Sequence, residues 1–187
     1  MTRVTLPFDR VLNRIKKEIE DPEADQAVVD ALIQIGYEAL VRAAESKEAG
    51  NITLNQMEAF ACAVYFRGEK QRTKFLDKDQ YRGTHRGRFG RDVNSAEPDP
   101  KRHRMGRSMA LHAIRDHKPI TDRYELFLTN AMWYTAIHEN GWTMRNGQPH
   151  RPLRILSQEI LSTVAAIEEK FGVDVFIDVE VNGVKRQ

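Results

Sequence analysis

Apolar positions recur with a helical period in three stretches of the chain and alternate in three others. Over residues 8–20, Phe8, Val11, Leu12, Ile15 and Ile19 fall on one face, with Arg10, Arg14, Lys16, Lys17 and Glu18 on the other. That spacing predicts an amphipathic helix. Asp21-Pro22 stops it and starts the next, because Asp suits a cap and Pro suits a first helical position. The second helix is predicted to run to about Ala49. Val28, Leu32, Ile35, Ala39 and Ala43 form one stripe, and Val29, Ile33, Tyr37 and Val41 a neighbouring one. Two adjacent stripes imply a broad buried face and a central helix. Gly50-Asn51 closes it.

Phe60, Cys62, Val64 and Phe66 alternate with Ala61, Ala63 and Tyr65, which predicts an extended segment, with a short helical turn open near Met57. The chain turns at Arg67-Gly68-Glu69-Lys70. Residues 68–107 then lack a sustained period and are rich in Gly, Pro and Arg. So long an aperiodic stretch is uncommon inside a compact domain and is usually functional. It is expected to project as a basic arm or long hairpin, an insertion spanning residues 68–118, with a short helix from Met105 to His117. In that helix Met109, Ala113 and Leu111 are candidates for the inward face.

Tyr124, Leu126 and Leu128 place a short strand at residues 124–129, followed by a helical turn or two ending at Asn140-Gly141. A polar loop leads to a last helix. There Leu153, Leu156, Ile160, Val164, Ile167 and Phe171 line one face, and Gly172 caps the end. Val173, Val175, Ile177, Val179 and Val181 alternate with polar residues and Phe176, the pattern of a half-buried strand. The expected fold class is α+β, a single domain over residues 1–187: a small antiparallel sheet packed against two or three helices, with the helices on one face.

The chain has 187 residues, enough for a real hydrophobic core. No run of 18 apolar residues occurs, and the first ten residues lack the apolar core of a secretory signal. The lone Cys62 excludes an internal disulfide and a cysteine zinc cage; between two alanines it reads as a buried core thiol in a protein of a reducing cytosol. The net charge of +2 hides an asymmetry: residues 67–107 hold 13 Lys/Arg against 6 Asp/Glu. Within that block, residues 81–91 interleave arginine, glycine and aromatics, and Lys101-Arg102-His103-Arg104 follows. Arginine matches phosphate and carboxylate alike. Arg82, Arg86, Arg88, Arg91, Lys101, Arg102, Arg104 and Arg107 are therefore the candidates for contact with a protein partner or DNA. A solvated loop is the plain alternative.

Enzyme motifs are missing: no phosphate loop, no dinucleotide fingerprint, no His-Glu-x-x-His and no Gly-x-Ser-x-Gly. His112 and His117, five apart, do not share a helical face. His138-Glu139 reads as a helix end, not an acid/base pair. No catalytic residue, cofactor or metal site is expected.

Residues 126–142, Leu-Phe-Leu-Thr-Asn-Ala-Met-Trp-Tyr-Thr-Ala-Ile-His-Glu-Asn-Gly-Trp, resemble a signature of the tail-completion, or head–tail joining, proteins of long-tailed phages, often described as minor tail components. The matching positions are Asn130, Met132, Tyr134, Glu139 and Gly141; Thr135 stands where alanine is usual. A looser likeness covers the helix at 25–49 and the Asn51-Ile52-Thr53-Leu54 turn after it. The resemblance implies a structural virion protein of the phage neck or tail top, assembled in the host cytoplasm. It would act as a ring of its own copies that joins the head connector to the tail tube or terminator. The signature positions are expected to fix a strand-to-helix junction, with Met132 and Tyr134, or Tyr134 and Ile137, turned inward and Gly141 at positive φ. Trp133 and Trp142 are candidate anchors at a subunit interface. The basic block leaves a second reading open, a nucleic-acid-binding module acting through residues 67–107.

Overall fold

A computed structural model describes residues 22–46, 57–77, 105–120, 123–132, 135–152, 154–172, 180–181 and 184–185. The predicted first helix, most of the final strand, the Thr53-Leu54 turn and the middle of the basic arm lie outside the described residues. The elements are α1 (Pro22–Glu45), β1 (Phe60–Phe66), β2 (Glu69–Phe75), α2 (Met105–Asp116), β3 (Tyr124–Asn130), α3 (Thr135–Asn140), β4 (Trp142–Thr143), β5 (Pro149–His150), α4 (Glu159–Phe171), β6 (Glu180–Val181) and β7 (Val184–Lys185). The class is α+β, and the main sheet is antiparallel in the order β2-β1-β3.

The sheet's alternation sorts its side chains to two faces. Phe60, Cys62 and Val64 of β1 join Tyr124, Leu126 and Leu128 of β3 in the main core, against α1. Ala61, Ala63 and Tyr65 join Phe127 on the other face, where Ala110 and Ile114 of α2 cover them. Helices therefore flank both faces, not one. The small Ala61 and Ala63 let α2 approach closely, and a β3 buried along its whole length follows from this double cover.

α1 is the central helix expected from its two stripes, and its buried seam runs between them. Val29, Leu32, Ile33, Ala39, Leu40, Ala43 and Ala44 are buried, while Val28, Ile35, Tyr37 and Val41 pack at the margins. Gly36 lies on this seam. A Cβ there would stand 2.8 Å from Leu126 Cδ1 and 3.3 Å from Cys62 Cβ, so the missing side chain is what brings the helix backbone onto the sheet. α4 packs along α1 through Ile160 and Ile167, and Arg42 bridges to Glu159 at 2.8 Å. Gly172 ends α4 in the left-handed conformation (φ 62°), its N–H donating to Glu168 O at 2.8 Å.

β2 occupies the start of the stretch read as a basic arm or long hairpin, and β4 and β5 fall where a polar loop was expected. Arg67 (φ 52°) and Gly68 (φ 82°) make the two-residue turn that suits a tight hairpin. The chain re-enters the sheet at once, so the stretch from residue 68 opens as a strand of the sheet. Gln71 has no opposite number, because Arg72 faces Val64 and Lys70 faces Tyr65; it is a bulge. Arg72 pairs with Asp30 of α1, Lys74 lies over the Tyr37 ring, and Arg107 of α2 lies over Phe75. Within α2, Ala113 is buried and Met109 half-buried, whereas Leu111 faces outward at 48% exposure.

Candidate functional site

Residues 126–142, singled out in the sequence, carry a buried arrangement of polar side chains. It begins where β3 ends. Asn130 is buried, and its Oδ1 accepts from the Met132 N–H at 3.3 Å and from the Thr135 hydroxyl at 2.8 Å. The side chain thus ties the strand's last residue to the first residue of α3. Thr135, the departure from alanine, is itself buried, and its hydroxyl is used in this tie. Met132 is buried as expected. Tyr134, and the side chains of Ile137 and His138, lie outside the described residues.

α3 then delivers Glu139 inward at 2% exposure. Its Oε1 accepts from the Leu156 N–H at 2.7 Å. Its Oε2 accepts from the Ser157 N–H at 3.2 Å and from the Ser157 hydroxyl at 2.5 Å. These amides belong to the turn that leads into α4, whose own N-cap, Gln158, makes no capping bond. A buried carboxylate from another element therefore supplies the acceptors that a helix start lacks, and its charge lies near the positive end of the α4 dipole. Gly141 follows with φ 80°, the positive value expected for it. Asn130 and Glu139 thus bracket α3 and fix both its ends to the body.

A second buried polar group sits on the α2 side of the sheet. His117 Nε2 meets Glu125 Oε1 at 2.5 Å, with both side chains almost wholly buried. The Ile120 N–H donates to Glu125 Oε2 at 2.9 Å. The imidazole stacks on Phe127 (4.4 Å between centroids) and tilts against Tyr65 (5.0 Å). The Tyr65 hydroxyl donates to Ile114 O at 2.8 Å; burial and the Glu125 charge push its pKa well above the ordinary phenol range. The cluster pins the segment after α2 to β3. The sequence pattern does not reveal this cluster, because a glutamate between Tyr124 and Leu126 needs a partner only once the strand is covered on both sides.

The remaining expected residues are less concentrated. Of the eight arm residues expected to contact a partner or DNA only Arg107 is described, and its guanidinium lies 4.4 Å from the Phe75 ring centroid. Arg82, Arg86, Arg88, Arg91, Lys101, Arg102 and Arg104 lie outside the described residues, as does Trp133. Trp142 is described only as the first residue of β4. Cys62 is buried, and burial pushes its thiol up to about 12. Among the described residues no group of three or more His, Cys, Asp or Glu side chains is placed to hold a metal ion. No described helix is long and apolar enough to cross a membrane.

No family model, curated protein or solved structure matches this chain. What the site can do is therefore argued from its geometry. Asn130 and Glu139 spend their polar atoms on backbone and hydroxyl groups of their own chain. That is the chemistry of a joint, with strand, short helix and long helix locked at set angles.

Proposed function

We propose that the chain is a structural subunit of a phage neck or tail top, acting as a ring that joins the head connector to the tail. The observation that carries this reading is the junction itself. Asn130, Met132, Glu139 and Gly141, four of the five signature positions, fall in one continuous strand-to-helix joint, and each serves backbone architecture. A signature of this kind preserves a shape. A shape repeated around an axis is what a ring protein must supply. In such a ring the cationic block at residues 67–107 faces either an adjacent protein ring or the DNA that passes through the lumen.

Negative-stain microscopy of the purified chain, alone and co-expressed with neck proteins, tests the proposal. Rings, or added density at tail ends with stoichiometric incorporation into particles, are expected. A chain that stays monomeric and never enters particles overturns it. DNA affinity that falls steeply with salt and vanishes on charge reversal of the arm, in a chain without rings, would instead favour a nucleic-acid-binding module.

A further inference from the structure

Charge in the last third of the chain is sorted by position. Residues 140–158 contain Arg145, Arg151 and Arg154 and not one Asp or Glu, whereas residues 159–181 contain six acidic residues and a single lysine. All three arginines are exposed. Arg145 is carried by the β4–β5 hairpin, whose tip is closed by the Gly147 N–H donating to Met144 O at 2.9 Å and the Met144 N–H donating to Gln148 O at 2.7 Å. A Cβ at Gly147 would meet nothing within 4 Å, so the tip stands clear of the body. Arg154 holds a left-handed backbone (φ 52°), which a side chain rarely adopts. It is kept there by the Gln158 N–H donating to its carbonyl at 3.0 Å, while Glu139 grips the two amides between.

The outer face of α4 is the opposite pole. Leu161, Ala165, Glu168 and Glu169 are exposed and fall on one side of the helix. Leu161, at 74%, is the most exposed large hydrophobic among the described residues. The acidic pair sits in the last turn, followed by Lys170, while Arg154 precedes the first turn, which itself carries Glu159. Glu168 and Glu169 stand roughly 14 Å along the helix from its first residue, at about 1.5 Å per residue. Exposed arginines on one surface and an exposed leucine beside two exposed carboxylates on another make two copies of the chain complementary in charge when they meet head to tail.

We propose that the β4–β5 hairpin of one copy, together with Arg154 after it, seats on the α4 face of the next, with Leu161 as the apolar anchor and Arg145 and Arg154 against Glu168 and Glu169. The proposal rests on the ring reading above and names the surfaces that close the ring. The contact is heterologous, the kind that generates a ring when its rotation closes. Its charge pairs lie at the rim, so they set orientation and make association sensitive to salt.

Sedimentation velocity of the full chain tests it, using the wild type, Arg145→Glu/Arg154→Glu, Glu168→Lys/Glu169→Lys, and the two variants mixed in equal amounts. Circular dichroism checks that each variant is folded; should a reversal perturb the fold, Arg145→Gln and Glu168→Gln replace it. The wild type is expected to self-associate, more weakly at high salt. Each reversal should weaken self-association by about tenfold or more. The mixture should restore it, because acidic hairpins then meet basic α4 faces and basic hairpins meet acidic ones. Unchanged association in both reversals, or loss without rescue in the mixture, overturns this interface and leaves the ring reading standing. A wild type that shows no assembly alone or with neck proteins overturns the ring reading as well.

Discussion

Replacing Glu139 with alanine removes the acceptors of three hydrogen bonds at once. Leu156 is fully buried and Ser157 half-buried, so at least one N–H loses its partner with no water to replace it. An unsatisfied buried donor costs about 1–3 kcal/mol, and bonds to a carboxylate sit toward the strong end. Counting the Leu156 amide fully and the Ser157 groups at a discount gives a loss of about 2–4 kcal/mol. For a chain of this length that is a drop in melting temperature of roughly 4–16 °C. Glu139→Gln keeps one carbonyl acceptor and turns an amide group toward the other donors, so it should fall between. Urea titration followed by far-ultraviolet dichroism gives the free energies. Hydrogen exchange of the Leu156 amide reports the bond directly and should accelerate in Glu139→Ala. A variant within about 0.5 kcal/mol of the wild type, the range of an ordinary surface change, with Leu156 still protected, would refute the reasoning.

Asn130→Ala should cost about 1–2 kcal/mol in urea titration, and a double-mutant cycle with Thr135→Val should show the two changes to be coupled, since both break the same bond. Gly36→Ala adds a methyl 2.8 Å from Leu126 Cδ1; the resulting overpacking, about 1–3 kcal/mol, should outweigh the gain of roughly 1 kcal/mol in helix propensity, so the melting temperature falls. The Cys62 thiol, pushed up to about 12 by burial, should resist a thiol reagent in the folded chain at pH 8 and react promptly in urea. Because its folded pKa lies above the unfolded one, its contribution to stability is complete below about pH 9 and is lost as pH rises toward 12, which alkaline denaturation curves of wild type and Cys62→Ala would separate. Asp30→Asn breaks an ion pair whose partners are both about half exposed, and should change stability by less than about 1 kcal/mol.

The elements with long, unambiguous periods were legible. α1, β1, β3 and α4 appear where the apolar spacing placed them, Gly172 caps α4, and Gly141 takes the positive φ assigned to it. α4 begins at Glu159, later than Leu153 suggested, because Leu156 and Ser157 are drawn to Glu139 and the intervening residues form a turn. β2 was lost in the basic stretch. An edge strand covered on one side only can carry Lys70, Arg72 and Lys74, so hydropathy says little of it; the Arg67-Gly68 turn after an alternating run was the better signal. Glu125 and His117 were unreadable for a related reason. Two polar groups satisfy each other only when α2 closes over the sheet, and that closure is tertiary. Glu139 was legible as a signature position, while its partners at 156 and 157 became visible only once the chain had folded back on itself.

The bulge at Gln71 has a bearing on how the chain behaves when many copies crowd together. A second sheet margin laid beside β2 would find its rungs matched as far as Arg72 and then thrown out by one residue, with ammonium and guanidinium groups brought face to face. Such a break in register, with cations along the strand, works against strand-upon-strand growth when copies crowd together.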